Sequence, residues 1–100
     1  VRRRARVDDN HAEIVAALRA VGCDVMDLSR VGEGCPDLFV AHPRMKPVCF
    51  VEVKDGRKPP SARRLTPAQE ERFDALERHG AKVVMVLSVD DALQKLGFTF

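Results

Sequence analysis

Asp37, Glu52 and Lys54 are the residues of this chain best suited to chemistry: two carboxylates and one ammonium set inside short apolar runs. Pro36-Asp37 leads into Leu38-Phe39-Val40-Ala41, and Glu52-Val53-Lys54 closes a second run that begins at Val48. Both runs read as strands, rich in β-branched and aromatic residues and cut off by His42-Pro43 and by the Asp55-Gly56 turn signal. Side chains two apart on a strand share a face, so Glu52 and Lys54 point together while Val51 and Val53 point into packing. If the runs over 36–41 and 48–54 pair antiparallel, Asp37 at the start of one comes near Glu52 at the end of the other. Such a cluster is suited to a divalent metal ion. A solvated strand face would also explain a Glu and a Lys at this spacing. Against that, residues 48–53 carry no other polar side chain except the thiol of Cys49, so the strand is expected to be central, and charges there need partners.

The surrounding elements follow from periodicity and capping residues. Asp8-Asp9-Asn10 offers N-caps for a helix whose face is Ile14, Ala17, Leu18 and Val21 and which stops at Gly22. Residues 25–28 read as a strand and 29–34 as a Gly-containing connection. Thr66-Pro67-Ala68-Gln69 opens a second helix with a capping box and Pro in its first turn, its apolar stripe is Phe73, Ala75 and Leu76, and Gly80 ends it. Residues 82–87 form an apolar strand, and Ser88 caps a short helix through Leu96. A strand, helix and strand in this order favour a parallel crossover, which predicts an α/β fold with a mixed central sheet flanked by helices.

Composition narrows the function classes. One hundred residues, 45% of them hydrophobic and 32% charged, make one domain over 1–100. Residues 1–7 are read as a flexible basic N-terminus, and the initial Val1 suggests that residues precede it. No apolar run approaches the ~20 residues a bilayer requires, and no secretory signal pattern is visible, so no membrane partner and a cytoplasmic location are expected. Three cysteines fit reduced thiols. Cys35, His42 and Cys49 recur every seven residues, but structural zinc sites use close cysteine pairs and four ligands, so zinc is rejected and Cys49 is read as a core residue. His11, His42 and His79 are read only as a helix start, a turn before Pro43 and a helix C-terminus. There is no Gly-rich phosphate loop, and no nucleotide cofactor is expected.

The net charge is only +2, yet it is unevenly spread. Arg2, Arg3, Arg4 and Arg6 crowd the start of the chain, and Arg57, Lys58, Arg63 and Arg64 crowd the loop just after Lys54. The second group places positive charge where a polyanion would approach the carboxylates. Ser29 and Arg30, just before the Asp37 strand, are further candidates for phosphate contact. The chain has no Trp or Tyr, which argues against base stacking on aromatic platforms.

Gly34-Cys35-Pro36-Asp37-Leu38, then Phe50-Val51-Glu52-Val53-Lys54, then Leu65-Thr66-Pro67-Ala68-Gln69 opening a helix, all within the order αβββαβ, resemble the PD-(D/E)xK nuclease superfamily. More narrowly, the chain is similar to the small stand-alone VRR-NUC domains of phage and bacterial proteins, from the first helix through Leu87. The resemblance implies a restriction-endonuclease-like core and Mg²⁺- or Mn²⁺-dependent cleavage of DNA, often at branched structures such as four-way junctions. It makes Asp37 and Glu52 metal-binding carboxylates, the Val53 carbonyl a further ligand, Glu13 the acid of the first helix, and Lys54 and Gln69 catalytic residues. Lys54 is then expected to orient water and stabilise phosphate charge rather than act as a base. Glu13 has a competing reading as the third residue of an Asn10-x-x-Glu13 capping box, and Gln69 as the capping partner of Thr66. Gln69 also heads the buried stripe of its helix, which points it toward the site.

Two other functions compete with a structure-selective endonuclease: a sequence-specific restriction or homing-type nuclease, and a non-catalytic nucleic-acid-binding module of the same fold. One hundred residues leave little room for a recognition domain, and a pure binding module has no reason to place paired acids where DNA must lie. Cutting both strands implies a homodimer. Gly97-Phe98-Thr99-Phe100 alternates like an edge strand that could pair across a two-fold axis, or it packs on its own domain.

Overall fold

The computed structural model describes residues 8–45 and 48–98. Helix α1 spans His11–Ala20, strands β1, β2 and β3 span Asp24–Asp27, Leu38–Ala41 and Cys49–Val53, and a 3₁₀ turn covers Pro60–Arg63. Helix α2 (Pro67–Arg78), strand β4 (Lys82–Val86) and helix α3 (Val89–Lys95) complete the order. The arrangement is a four-stranded mixed sheet in the order β1-β2-β3-β4, flanked by helices.

β2 and β3 form the expected antiparallel hairpin, with Leu38 opposite Val51 and Val40 opposite Cys49. β1 joins antiparallel to the outer side of β2, and β4 lies parallel to β3, as the crossover through α2 requires. Strand ends fall slightly inside the sequence-based bounds, so Asp37 stands just before β2 and Lys54 just after β3.

The two faces of the sheet are covered differently. One carries Val25, Leu38, Val40, Cys49, Val51, Val53 and Val86, which close a core with Ile14 and Leu18 of α1 and with Ala92 of α3. Each fully buried Leu, Ile or Val there contributes about 1.5–3 kcal/mol relative to exposure. Burial pushes the Cys49 thiol up to about 11, as suits an inert core residue. The other face carries the row Met26, Phe39, Phe50 and Val83, matched strand by strand, with the Phe39 and Phe50 rings 4.9 Å apart. Helix α2 packs on β4 and leaves the β1 side of this row open. Met26 is 58% exposed, and Val48, on the same face, 43%.

Several local expectations change. Asn10 precedes α1 but makes no side-chain cap, so the Asn10-x-x-Glu13 box does not form. Its buried amide instead donates to the carbonyls of Lys54 (3.3 Å) and Leu87 (3.1 Å), tying the start of α1 to the ends of the two parallel strands. Phe98 is buried in the core and meets the His42 ring edge-on at 4.8 Å, so this residue follows the own-domain alternative to the terminal edge strand. Thr99 and Phe100 lie outside the described residues, as do Arg2, Arg3, Arg4 and Arg6. His79 caps α2 at its C-terminus, with a ring nitrogen 2.7 Å from the Ala75 carbonyl.

Candidate active site

The hairpin register brings the two acids together. One residue beyond the Leu38–Val51 pair, Asp37 falls opposite Glu52, on the face away from the α1 core. Asp37 Oδ2 accepts the Val53 backbone N–H at 2.8 Å, and the Asp37 carbonyl accepts the Leu28 N–H at 2.7 Å. The carboxyl is thus fixed to β3 while its backbone is fixed to the end of β1. Glu52 sits in the central strand and is 2% exposed.

Lys54 and Gln69 complete the cluster. Lys54 Nζ lies 3.5 Å from Glu52 Oε2 and donates to Gln69 Oε1 at 3.2 Å. Gln69 Nε2 donates to Glu52 Oε2 at 3.0 Å. The same Gln69 Oε1 accepts the Thr66 backbone N–H at 2.9 Å, and the Gln69 N–H donates to Thr66 Oγ1 at 3.2 Å. The capping box and the site contact, competing readings of Gln69 in the sequence, therefore coexist in one side chain.

Electrostatics mark the pair as unsatisfied. Burial, reinforced by the adjacent Asp37 charge, pushes Glu52 up to about 8 despite the opposing pull of Lys54. Burial also raises Asp37, against the Val53 N–H and the positive charge of Lys54. Glu52 Oε1 is buried and finds no donor among the described residues. A buried and a half-buried carboxylate side by side need either a proton or a cation between them. The donor set, carboxylate oxygens with an orphaned oxygen atom, fits a hard divalent cation. Among the described residues no three His, Cys, Asp or Glu side chains form a metal-binding group, so for an ion here side chains would offer two ligands and backbone or water the rest.

The other predicted residues are placed more loosely. Glu13 is exposed on α1 and lines a depression with Asn10, Asp55, Arg57 and Ser88, rather than joining Asp37 and Glu52 in a three-acid group. Arg57 grips Asp55 through two bonds, Nε to Oδ1 and a terminal nitrogen to Oδ2, both 3.0 Å. Lys58 pairs with Asp8 at 3.2 Å. Arg64 and Arg30 are exposed, Arg63 is half-buried in the 3₁₀ turn, and Ser29 is half-buried beside Asp27.

Sequence reasoning missed His11 and Asp27. His11 is buried at the start of α1, with Nε2 3.0 Å from Asp27 Oδ2. Ser29 donates its N–H (2.9 Å) and its hydroxyl (2.6 Å) to Asp27 Oδ1. Burial, the largest single influence on Asp27, favours its neutral form, but the bonds from Ser29 and His11 outweigh it and hold the carboxyl at about 2. One signal was legible: Asp27 shares the face of Val25, and an acid on a core face requires a partner.

The VRR-NUC domain family model matches residues 5–90. A solved structure described as a VRR_NUC domain is similar to the chain at 27% identity and a TM-score of 0.66, over 93% of this chain and 100% of that one. A second, described as a VRR_NUC domain protein, is similar in fold at 17% identity and a TM-score of 0.60, over 92% of this chain and 88% of the other. No curated protein matches the chain.

Proposed function

Because the chain belongs to the VRR-NUC domain family, within the PD-(D/E)xK nuclease superfamily, we propose that it is a Mg²⁺- or Mn²⁺-dependent endodeoxyribonuclease selective for the shape of branched DNA. The observation that carries this reading is the pair of buried Glu52, with its orphaned oxygen, and half-buried Asp37, flanked by Lys54 and Gln69.

Asp37 and Glu52 would hold the ion, with the Val53 carbonyl as a further ligand by family resemblance. When bound, the ion polarises the scissile phosphate and activates the attacking water. Lys54 lies where it can stabilise the charge that develops on the phosphate, and Gln69 keeps the ammonium in that position. Gln69 also orients Glu52, leaving Oε1 as the free acceptor. Glu13, beside Arg57 in the neighbouring depression, remains the candidate for a further acid from α1. Arg30, Arg57, Lys58, Arg63 and Arg64, with Ser29, are proposed to meet the DNA backbone, which positions a duplex without reading its sequence. Shape selectivity is supported by the composition of these candidates, cations and a hydroxyl suited to phosphates rather than to base edges.

A second copy of the chain is the proposed protein partner, since each site cuts one strand. The open apolar row supports this. Met26, Val31 and Val48, the exposed large hydrophobics among the described residues, are 58%, 61% and 43% exposed, and Val31 borders a groove with Phe50. Asp24 on the β1 side and Arg72 on the α2 side flank the row, so a two-fold axis through it would set unlike charges together.

Cleavage of labelled four-way junction, flap, single-stranded and linear duplex DNA with Mg²⁺, Mn²⁺ or EDTA tests the assignment. Metal-dependent cutting that is lost in Asp37→Ala and Lys54→Ala, and strongest on the junction, is the expected result. Salt-sensitive DNA binding without cutting in any metal would instead identify a non-catalytic module.

A further inference from the structure

The connection between β1 and β2 contains three consecutive residues in the left-handed region: Gly32 (φ 77°), Glu33 (φ 57°) and Gly34 (φ 78°). The two glycines share a backbone conformation but not an environment. A Cβ on Gly32 would meet nothing within 4 Å. A Cβ on Gly34 would fall 2.4 Å from the Ala68 carbonyl oxygen, 2.6 Å from its carbon and 3.0 Å from the Gln69 nitrogen. The loop therefore presses its bare Cα against the peptide that joins Ala68 to Gln69, in the first turn of α2.

That peptide carries the Gln69 side chain, and Gly34 lies three residues before Asp37. One close approach thus sets the distance between the strand that holds one carboxylate and the helix that reaches the other. We propose that Gly34 is a positioning residue of the active site: its missing side chain lets α2 approach until Gln69 spans Lys54 and Glu52. Backbone cannot yield as a flexible side chain can, so any side chain at position 34 must push α2 outward or distort the loop. Displacement of Gln69 by about half an ångström or more carries the bonds to Lys54 Nζ (3.2 Å) and Glu52 Oε2 (3.0 Å) out to distances where they no longer hold.

This inference rests on the nuclease reading for its kinetic consequence only. The positional consequence stands without it, and the experiment separates the two. The Gln69 side-chain amide resonances are followed by NMR in metal-free wild type, Gly34→Ala and Gly32→Ala. The Gly32 substitution bears the same cost of placing Ala at positive φ without the collision, so it controls for backbone strain. In wild type and Gly32→Ala, the Gln69 NH₂ should be protected from solvent exchange by its bond to buried Glu52. In Gly34→Ala the protection should disappear while the remaining amide spectrum stays native. Where Gly34→Ala does not fold, one glycine inserted between Gly32 and Glu33 of that variant lets the loop draw back from α2, and native folding with Gln69 protection should return.

The kinetic arm measures kcat on the best substrate. Gly34→Ala should lower it by on the order of 10²-fold, as a small misplacement of a positioning group does, and Gly32→Ala should leave it within about twofold. Combining Gly34→Ala with Gln69→Ala should cost no more than Gln69→Ala alone, since both remove one interaction. Retained Gln69 protection in a folded Gly34→Ala overturns the proposal, as does equal loss of protection in Gly32→Ala, or an inserted glycine that fails to restore folding to Gly34→Ala. Absence of cleavage by wild type refutes the nuclease reading and leaves the NMR arm to decide this one.

Discussion

Gln69 donates from Nε2 to Glu52 Oε2 at 3.0 Å while its Oε1 serves both Lys54 Nζ and the Thr66 backbone N–H. The first turn of α2 and the catalytic cluster are joined through one amide. Gln69→Ala should therefore fail twice, losing about 1 kcal/mol of stability with the cap and on the order of 10²-fold in kcat with the orientation of Lys54. Gln69→Glu keeps the capping acceptor but replaces the donor to Glu52 with an acid, so kcat should stay low while the cap is retained. Urea unfolding and single-turnover cleavage measure the two effects separately.

Raised carboxyls give the metal-free protein an unusual pH response. Glu52 holds its proton up to about 8, against an ordinary value of 4.5, so between these limits the folded chain binds more protons than the unfolded one. Stability is greatest below the lower limit and declines as pH rises through the upper one, and Asp37 acts in the same direction. Melting in EDTA should fall from about pH 5 to about pH 8.5, and Glu52→Gln should flatten that decline. Saturating Mn²⁺ should raise the melting temperature most at the alkaline end, because the ion requires the ionised form. A melting temperature that rises over this range in EDTA would contradict the electrostatics of the pair.

Basic residues of the loop after β3 are unequally committed. Arg57 is engaged by Asp55 and Lys58 by Asp8, whereas Arg64 is exposed with no ion-pair partner among the described residues. Arg64→Ala should lower the slope of log K against log salt by about 0.9, the amount that corresponds to one phosphate left unneutralised. Arg57→Ala should change it less, since Asp55 already offsets that charge. Binding of a catalytically silenced Asp37→Asn protein to duplex DNA across a salt series provides the comparison.

Met26→Lys and Val48→Lys place charge on the open row without touching the buried core. Wild type should sediment as a dimer and the double variant as a monomer with an unchanged melting temperature. A monomeric wild type at micromolar concentration would remove the second copy as occupant of that face.

Much of this arrangement was legible in the residues. The alternation of 48–54 and the placement of Asp37 before a short strand yielded the antiparallel register, because a one-residue slip would have turned Val51 and Val53 out of the core. The capping signature Thr66-Pro67-Ala68-Gln69 located the start of α2 because its physics is local. Asn10 misled because an Asn before a helix has two uses, and its choice of the Lys54 and Leu87 carbonyls depends on strands far away in the chain. His11 was read as a helix start because its partner, Asp27, is defined only once β1 lies against α1. The close approach of Gly34 to α2 was illegible for a related reason, since a glycine in a loop looks alike whether it faces solvent or another backbone.

The Asn10 amide closes loops of 44 and 77 residues, to Lys54 and Leu87. Contacts of such span carry a large closure entropy and form late. During synthesis this latch cannot engage until Leu87 has left the ribosome, so helix α1 must wait for β4 before it is locked. Until then the ends of β3 and β4 lack their shared clasp, and the reactive pocket beside them stays incomplete.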